Sequence, residues 1–244
     1  MDGDLYDQLW RVEQTHWWFQ ARRHIVYTLV DRYLDSGKRL RICDIGCGTG
    51  GNLLPLADRH DVVGVESSSQ GVEFARRRLG DRVQLGQLPH ELGLPDESFD
   101  LVLLLDVMEH VEDDASSAAA VLRLLRPGGI VIATVPANPW LYSQYDVRLH
   151  HFRRYRKEQF RQLWLSAGAK LELLSYYNSL LFLPAASVRV ASKLLPSRDA
   201  TVDLEVPPWP LNAVLAPIMK CEARMVGQVP LPWGLSLVSV VRRK

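Results

Sequence analysis

The chain of 244 residues has only three cysteines, Cys43, Cys47 and Cys221, an odd and scattered set. That excludes a disulfide framework and fits a reducing compartment. Net charge is almost absent: 29 Lys and Arg against 28 Asp and Glu leave +1. No long-range field therefore draws the protein to nucleic acid or to an anionic membrane, and any basic site has to be local. Long apolar runs are missing too. The apolar, uncharged stretch Leu173 to Val188 stops at Arg189, short of the ~20 residues that cross a bilayer. The opening Met1-Asp2-Gly3-Asp4 is acidic and carries no apolar segment, so no secretory signal is read and a cytoplasmic location is expected. Repeats and low-complexity tracts are also lacking. What remains is a globular composition, 47% hydrophobic and 23% charged, enough for one core and one domain over residues 1–244.

Strands and helices alternate along that core. Residues 4–36 read as two helices around His16-Trp17-Trp18-Phe19, with Arg22 and Arg23 on the turn after the cluster. Leu40 to Asp44 is a short apolar strand, a glycine turn follows, and a helix is expected from Asn52 to Asp58. Val62 to Glu66 is a second strand, with Ser68 or Ser69 capping the helix beyond it, and Val83-Gln84-Leu85 a third. The run Phe99 to Leu105 is apolar almost throughout, as suits a central strand buried on both faces. A helix from Asp113 to Leu125 ends at Arg126-Pro127-Gly128-Gly129, and Ile130 to Val135 is the fifth strand. After an aromatic and basic loop come a helix from Glu158 to Ala167, a strand from Leu171 to Tyr177, an apolar proline-punctuated stretch helical in two pieces, and a last strand, Leu235 to Val241. This order predicts an α/β fold, a doubly wound, mostly parallel sheet of seven strands with right-handed crossovers.

Gly46, Gly48 and Gly50 stand at alternate positions after the first strand, where they let the backbone turn tightly and approach a ligand while the next segment presents free N–H groups. A dinucleotide site has the spacing Gly-x-Gly-x-x-Gly instead. Asp44, two residues before the first glycine, would repel a pyrophosphate and suit a cationic ligand. Glu66, at the end of the second strand, is placed to accept both ribose hydroxyls of an adenosine. With Gly86-Gln87-Leu88, Leu94 to Asp100 and Leu125 to Gly129 following in order, the chain resembles the class I S-adenosylmethionine-dependent methyltransferases. That resemblance implies S-adenosylmethionine as cofactor, Glu66 on its ribose, Gln87 and Leu88 flanking adenine, and the backbone of Leu105 and Asp106 facing its methionine end. The family often has Asp where Gln87 stands, although an amide can also accept from the adenine amino group. A bacterial branch of the family, with Glu13 to Phe19, Arg22-Arg23 and His151-Phe152-Arg153-Arg154-Tyr155 as its marks, implies that residues 1–36 form a lid. Trp17 and Arg22 would then meet the cofactor and Trp18 and Phe19 the acceptor, with a core over 37–177, an apolar insertion over 178–234 and the last strand over 235–244. The aromatic cluster equally suits a hydrophobic anchor.

Methyl transfer is a displacement at carbon that needs alignment above all, and a base when the acceptor is a hydroxyl. His150, His151 and Tyr155, just after the fifth strand, are the candidate catalytic residues, and Arg153 and Arg154 the candidate grip on an anionic part of the acceptor. A solvated loop whose aromatics merely pack remains an equal reading. No metal is expected: Asp106, Glu109 and His110 have a possible ligand spacing, but Asp106 is short and no further ligand is evident. Arg189 and Lys193 share one face of an otherwise apolar helix over 179–195, which needs a cover: a lid over the acceptor, a dimer contact or a membrane interface, to which Arg198, Trp209 and Trp233 would be suited. The prolines around it favour lid or dimer. The expected activity is methylation, at oxygen, of a small or medium-sized and partly apolar acceptor by a monomer or homodimer that binds no nucleic acid. A lipid-linked or isoprenoid acceptor at a membrane surface, and a cofactor-binding protein without turnover, are the alternatives.

Overall fold

The computed structural model describes residues 3–35, 37–194 and 206–244. Two helices lead, α1 (Gly3–Val12) and α2 (Trp17–Tyr33), followed by β1 (Arg41–Ile45), β2 (Asp61–Glu66), α3 (Ser69–Leu79), β3 (Val83–Leu85), β4 (Phe99–Leu105), α4 (Asp114–Leu124) and β5 (Leu125–Pro136). Then come α5 (Gln144–Arg148), α6 (Lys157–Ser166), β6 (Lys170–Tyr177), α7 (Phe182–Leu194), α8 (Trp209–Val226) and β7 (Ser236–Arg242). The sheet runs β3-β2-β1-β4-β5-β7-β6. All pairings among the first five strands are parallel and β7 lies antiparallel between β5 and β6, the mostly parallel seven-stranded sheet that the strand and helix order implies.

Local chemistry explains most boundaries. Ser68 accepts a hydrogen bond from the Gly71 N–H and so starts α3, and Asp113 does the same for α4 through Ser116. The centre of β4 is wholly buried because its two faces meet two different helix layers. One layer holds Ile25, Leu29 and Ala75 against Ile42 and Leu103; the other holds Val121, Phe160 and Trp164 against Cys43 and Val102. Cys43 and Cys47 are buried packing residues, and Cys47 lies under Gly64 of β2.

Three expectations change. The helix after the glycine turn is only a 3-10 turn, Leu54–Leu56, closed off before β2 begins at Asp61. The aromatic cluster does not separate two helices: His16 is the N-cap of α2, its ring accepting from the Trp18 N–H, and Trp17 to Phe19 form the first turn. Arg22 and Arg23 therefore lie inside α2, both buried, rather than on a turn. The insertion between β6 and β7 does form two helices, but Arg198 and residues 195–205 lie outside the described residues.

Candidate functional site

The carboxyl ends of β1, β2, β4 and β5 meet on one edge of the sheet, the edge where open α/β folds place ligands. The turn after β1 is pinned by the Gly46 and Cys47 N–H groups, both bonded to the Val65 carbonyl. Gly46 sits at φ +73°, and a Cβ there would be 2.5 Å from Val107 Cγ2. Gly48, at φ +57°, has nothing within 4 Å of such a position, so its backbone is open to a ligand. Its N–H points back to Glu66 Oε2 at 2.8 Å. Glu66 Oε1 accepts from the Ser67 N–H at 2.8 Å, the Ser68 N–H at 3.2 Å and the Tyr6 hydroxyl at 3.1 Å. The carboxylate at the end of β2 is thus held rigidly, with Oε2 the less occupied oxygen.

Asp44 is the most unusual group on this edge. It is fully buried and neither carboxyl oxygen has a hydrogen bond of normal geometry. Burial pushes its pKa up to about 7, with Glu66 adding to the rise and Arg22 and Asn52 opposing it. A buried carboxyl so weakly compensated is costly unless something cationic arrives to meet it. The sulfonium and ammonium of S-adenosylmethionine are such groups, and the open Gly48 backbone and the fixed Glu66 suit its ribose. Beyond β4, Asp106 takes a left-handed backbone at φ +57°. Its side chain pairs with Arg22 from α2 and accepts from Thr134 Oγ1 at 3.0 Å. Leu105 itself is core.

A cavity of about 360 Å³ opens beside this turn, bounded by Gly46, Ser67, Gln87, Leu88, His110 and Phe152 among others. Gly46, Gln87 and Leu88 are thereby brought to one space. Gly50 is set back: a Cβ there would meet Leu79 and Ala75 of α3. The leading helices close over the turn from the other side. Glu13 accepts from Thr49 Oγ1 and Arg78, and Arg23 donates to the Glu13 carbonyl at 2.8 Å. Trp18 stacks on Tyr177 at 5.8 Å, and Arg22 lies 5.6 Å from the Phe19 ring centre. The Trp17 N–H donates to Asn212 Oδ1 of α8 at 2.9 Å, an anchoring contact.

The basic loop is assembled differently from its expected role. Tyr155 is wholly buried, its hydroxyl bonded to the Met108 carbonyl at 3.1 Å and to Asp114 Oδ2 at 2.8 Å. It props the loop and cannot orient an acceptor. Arg154 is also buried and spent on Asp146 at 2.7 Å, and Arg153 pairs with Asp114 and the Glu112 carbonyl, so neither is a free grip for an anion. His150 is exposed in a left-handed turn at φ +57° and is not among the residues bounding the cavity. His151 does not itself bound the cavity, but it stands behind a residue that does. Its Nδ1 lies 3.1 Å from Asp146 Oδ1, and its ring is edge-on to His110 at 4.6 Å, which does bound the cavity. Hydrogen bonds from His151 and Arg154 hold the Asp146 carboxyl well below the usual carboxylate range despite its burial. Burial and the neighbouring His151 push His110 down to about 4, so it is neutral at neutral pH.

The ligand-type trio that the chain gathers is Glu109, His110 and His151, with donor atoms within 4.8 Å of one another. It differs from the set whose spacing stands out in the sequence, Asp106, Glu109 and His110, since Asp106 is paired with Arg22. Glu109 is completely buried, both oxygens lack partners, and burial raises its carboxyl well above the ordinary range. Sequence reasoning missed Tyr6 and Asp146 as site residues. Asp146 had a signal of sorts, an acid in the same loop as His151; Tyr6 had none.

Residues 43–133 match the family model of a methyltransferase domain. The ubiquinone biosynthesis O-methyltransferase of Roseobacter denitrificans is 35% identical over 168 residues, 64% of this chain and 68% of that protein. The 27-O-demethylrifamycin SV methyltransferase of Amycolatopsis mediterranei is 32% identical over 142 residues, 52% of each. The chain spans from about a third to just over two thirds of the length of the curated relatives it matches. Among solved structures, an S-adenosylmethionine-dependent methyltransferase of Thermotoga maritima superposes with a TM-score of 0.60 at 21% identity, covering 99% of this chain and 96% of that one.

Proposed function

The chain belongs to the S-adenosylmethionine-dependent methyltransferase family, and on that premise we propose that it moves a methyl group to a hydroxyl oxygen of a small or medium-sized, partly apolar acceptor. Residues 1–244 act as one unit, with the leading helices as lid and 178–234 as an insertion, in the cytoplasm. Two relatives named for oxygen methylation support the choice of atom. The observation that carries the reading is the His151 and Asp146 pair, 3.1 Å apart, set behind His110 at the cavity wall.

Glu66 accepts the ribose hydroxyls, with Gly48 presenting its backbone beside them, and Gln87 and Leu88 flank the adenine. Asp44 balances the positive charge of the methionine end, while Arg22 and Asp106 form a fixed ion pair next to it. Gly46 and Gly50 shape the turn, and Trp17, Trp18 and Phe19 anchor the lid over the site. When bound, S-adenosylmethionine supplies a methyl on a positively charged sulfur that leaves as a neutral thioether. The chain's own task is alignment and proton removal. His151 takes the hydroxyl proton as the new oxygen–carbon bond forms, and Asp146 stabilises the imidazolium and fixes the ring. Arg154, buried against the same Asp146 oxygen, keeps that carboxylate ionised and in place.

The test is transfer of a radiolabelled methyl group to a panel of phenols and aliphatic alcohols by the wild type and His151→Gln. Methyl ethers are expected from the wild type, with turnover reduced roughly 100-fold or more in the variant and cofactor affinity unchanged. A variant at full rate removes His151 as the base. Methylation confined to nitrogen or carbon acceptors overturns the oxygen assignment.

A further inference from the structure

Helix α8 has one face committed and one face bare. Ala216, Met219, Glu222, Ala223 and Val226 are buried, and Met219, Ala223 and Val226 join the same core as Ile25, Val26 and Leu29 of α2. Asn212 ties the start of the helix to Trp17 and Thr15. The inner side therefore clamps the leading helix α2. The outer side follows strict helical spacing, Pro210, Val214, Pro217, Cys221 and Met225, all exposed. At its start Trp209 is 81% exposed and Leu211 51%. Over the roughly 27 Å of an 18-residue helix, that stripe presents no polar side chain.

Of the charged residues of α8 itself, those not turned inward have one sign. The single acid of α8, Glu222, is turned inward, where it accepts from the N–H groups of Ser179 and Leu180. The helix's cations, Lys220 and Arg224, lie four residues apart on one flank of the stripe. His24 of α2 lies near enough for both to oppose its protonation, and Arg32 lies against Gly227 at the helix end. Trp233, 57% exposed, adds a second tryptophan at the root of the insertion, where its carbonyl accepts from Ser179 Oγ.

We propose that this outer face of α8 docks the protein onto an anionic lipid bilayer, lying in the interface with the apolar stripe among the acyl chains and Lys220 and Arg224 at the head groups. An apolar strip with exposed tryptophans and a cationic edge is what such a surface selects. No helix among the described residues is long and apolar enough to cross a membrane, so the contact is peripheral. A second copy fits less well: a twofold contact brings the same cations and no acid of α8 to meet them. Because α8 also clamps α2, docking sits directly behind the lid. The proposal is independent of the acceptor assignment.

The test uses the full chain with vesicles of phosphatidylcholine, alone or with phosphatidylglycerol, in a co-sedimentation assay at low and high salt. The wild type is expected to pellet with the anionic vesicles, less with the neutral ones, and less at high salt. Replacing both cations, Lys220→Gln with Arg224→Gln, should weaken binding roughly 25-fold, about fivefold for each. Val214→Ser with Met225→Ser should weaken it as well. Cofactor titration equal to wild type verifies that each variant is folded, and if the apolar pair fails to fold, the charge pair, half-buried Lys220 and exposed Arg224, decides. A wild type that stays in solution with anionic vesicles, or charge variants that bind as well as it does, overturns the proposal. So does a dimer in sedimentation velocity that dissociates on changing Val214 and Met225.

Discussion

Replacing Asp44 by Asn should make the protein more stable and a worse binder of its cofactor at the same time. The Asp44 carboxyl is fully buried and its pKa is raised from the ordinary 3.8 to about 7. Three pH units at 1.36 kcal/mol each amount to about 4 kcal/mol of native-state cost. A carboxyl raised in the folded state costs nothing below its unfolded value. The penalty grows as pH climbs from about 4 to about 7 and is complete above that. Asn keeps the shape and cannot ionise, so the unfolding free energy should rise by about 2 to 4 kcal/mol near pH 8 and hardly change near pH 4, the amide's own burial taking part of the gain. For a chain of this length each kcal/mol moves Tm by roughly 2 to 4 °C, giving an increase of the order of 5 to 15 °C in calorimetry near neutral pH. Binding of the cationic cofactor should ionise the half-protonated wild-type group and release about half a proton near pH 7, seen as a dependence of the titration heat on buffer ionisation enthalpy. Asp44→Asn should lose that proton release and at least about tenfold in affinity. A variant with unchanged or lower Tm near pH 8, or with wild-type affinity, refutes the assignment of Asp44 as the strained counter-charge.

Two further outcomes follow from the same site. Glu66→Ala removes an acceptor shared by Tyr6, Ser67, Ser68 and Gly48; calorimetric titration should show at least about a tenfold weaker cofactor complex, and unchanged affinity contradicts the ribose site. Asp146→Asn should be less stable than wild type at neutral pH, because a carboxyl held below its ordinary range contributes stability above that range and loses it as pH falls. In denaturant melts the difference should shrink toward about pH 3, and turnover should fall with that of His151→Gln.

The sequence by itself determined the parallel core and the candidate cofactor edge, because their causes are local. A strand buried on both faces has to be continuously apolar, as Phe99 to Leu105 nearly is, and a turn that needs left-handed backbone has to carry glycine, as at Gly46 and Gly48. Asp44, Gly46 and Glu66 lie within 23 residues of one another, joined by one strand, one turn and the next strand, so regular geometry alone brings them together. What the basic loop does was not legible there. Tyr155, Arg154 and His151 carry equal chemical promise as letters, and only packing separates them: Asp114 and Met108, more than 40 residues upstream, take the Tyr155 hydroxyl, Asp146 takes Arg154, and His151 alone is left beside the cavity-lining His110. Arg189, placed by its spacing on one helical face with Lys193, turns its guanidinium over the Tyr145 ring and toward Asp146. Tyr6 reaches Glu66 and Asn212 reaches Trp17 across 60 and 195 residues. Such pairings depend on which layers the chain stacks, and no pattern along the chain encodes that. The bare outer stripe of α8 belongs to the same class: its spacing was written in the sequence, but which side would be covered was decided only when α2 packed against the other.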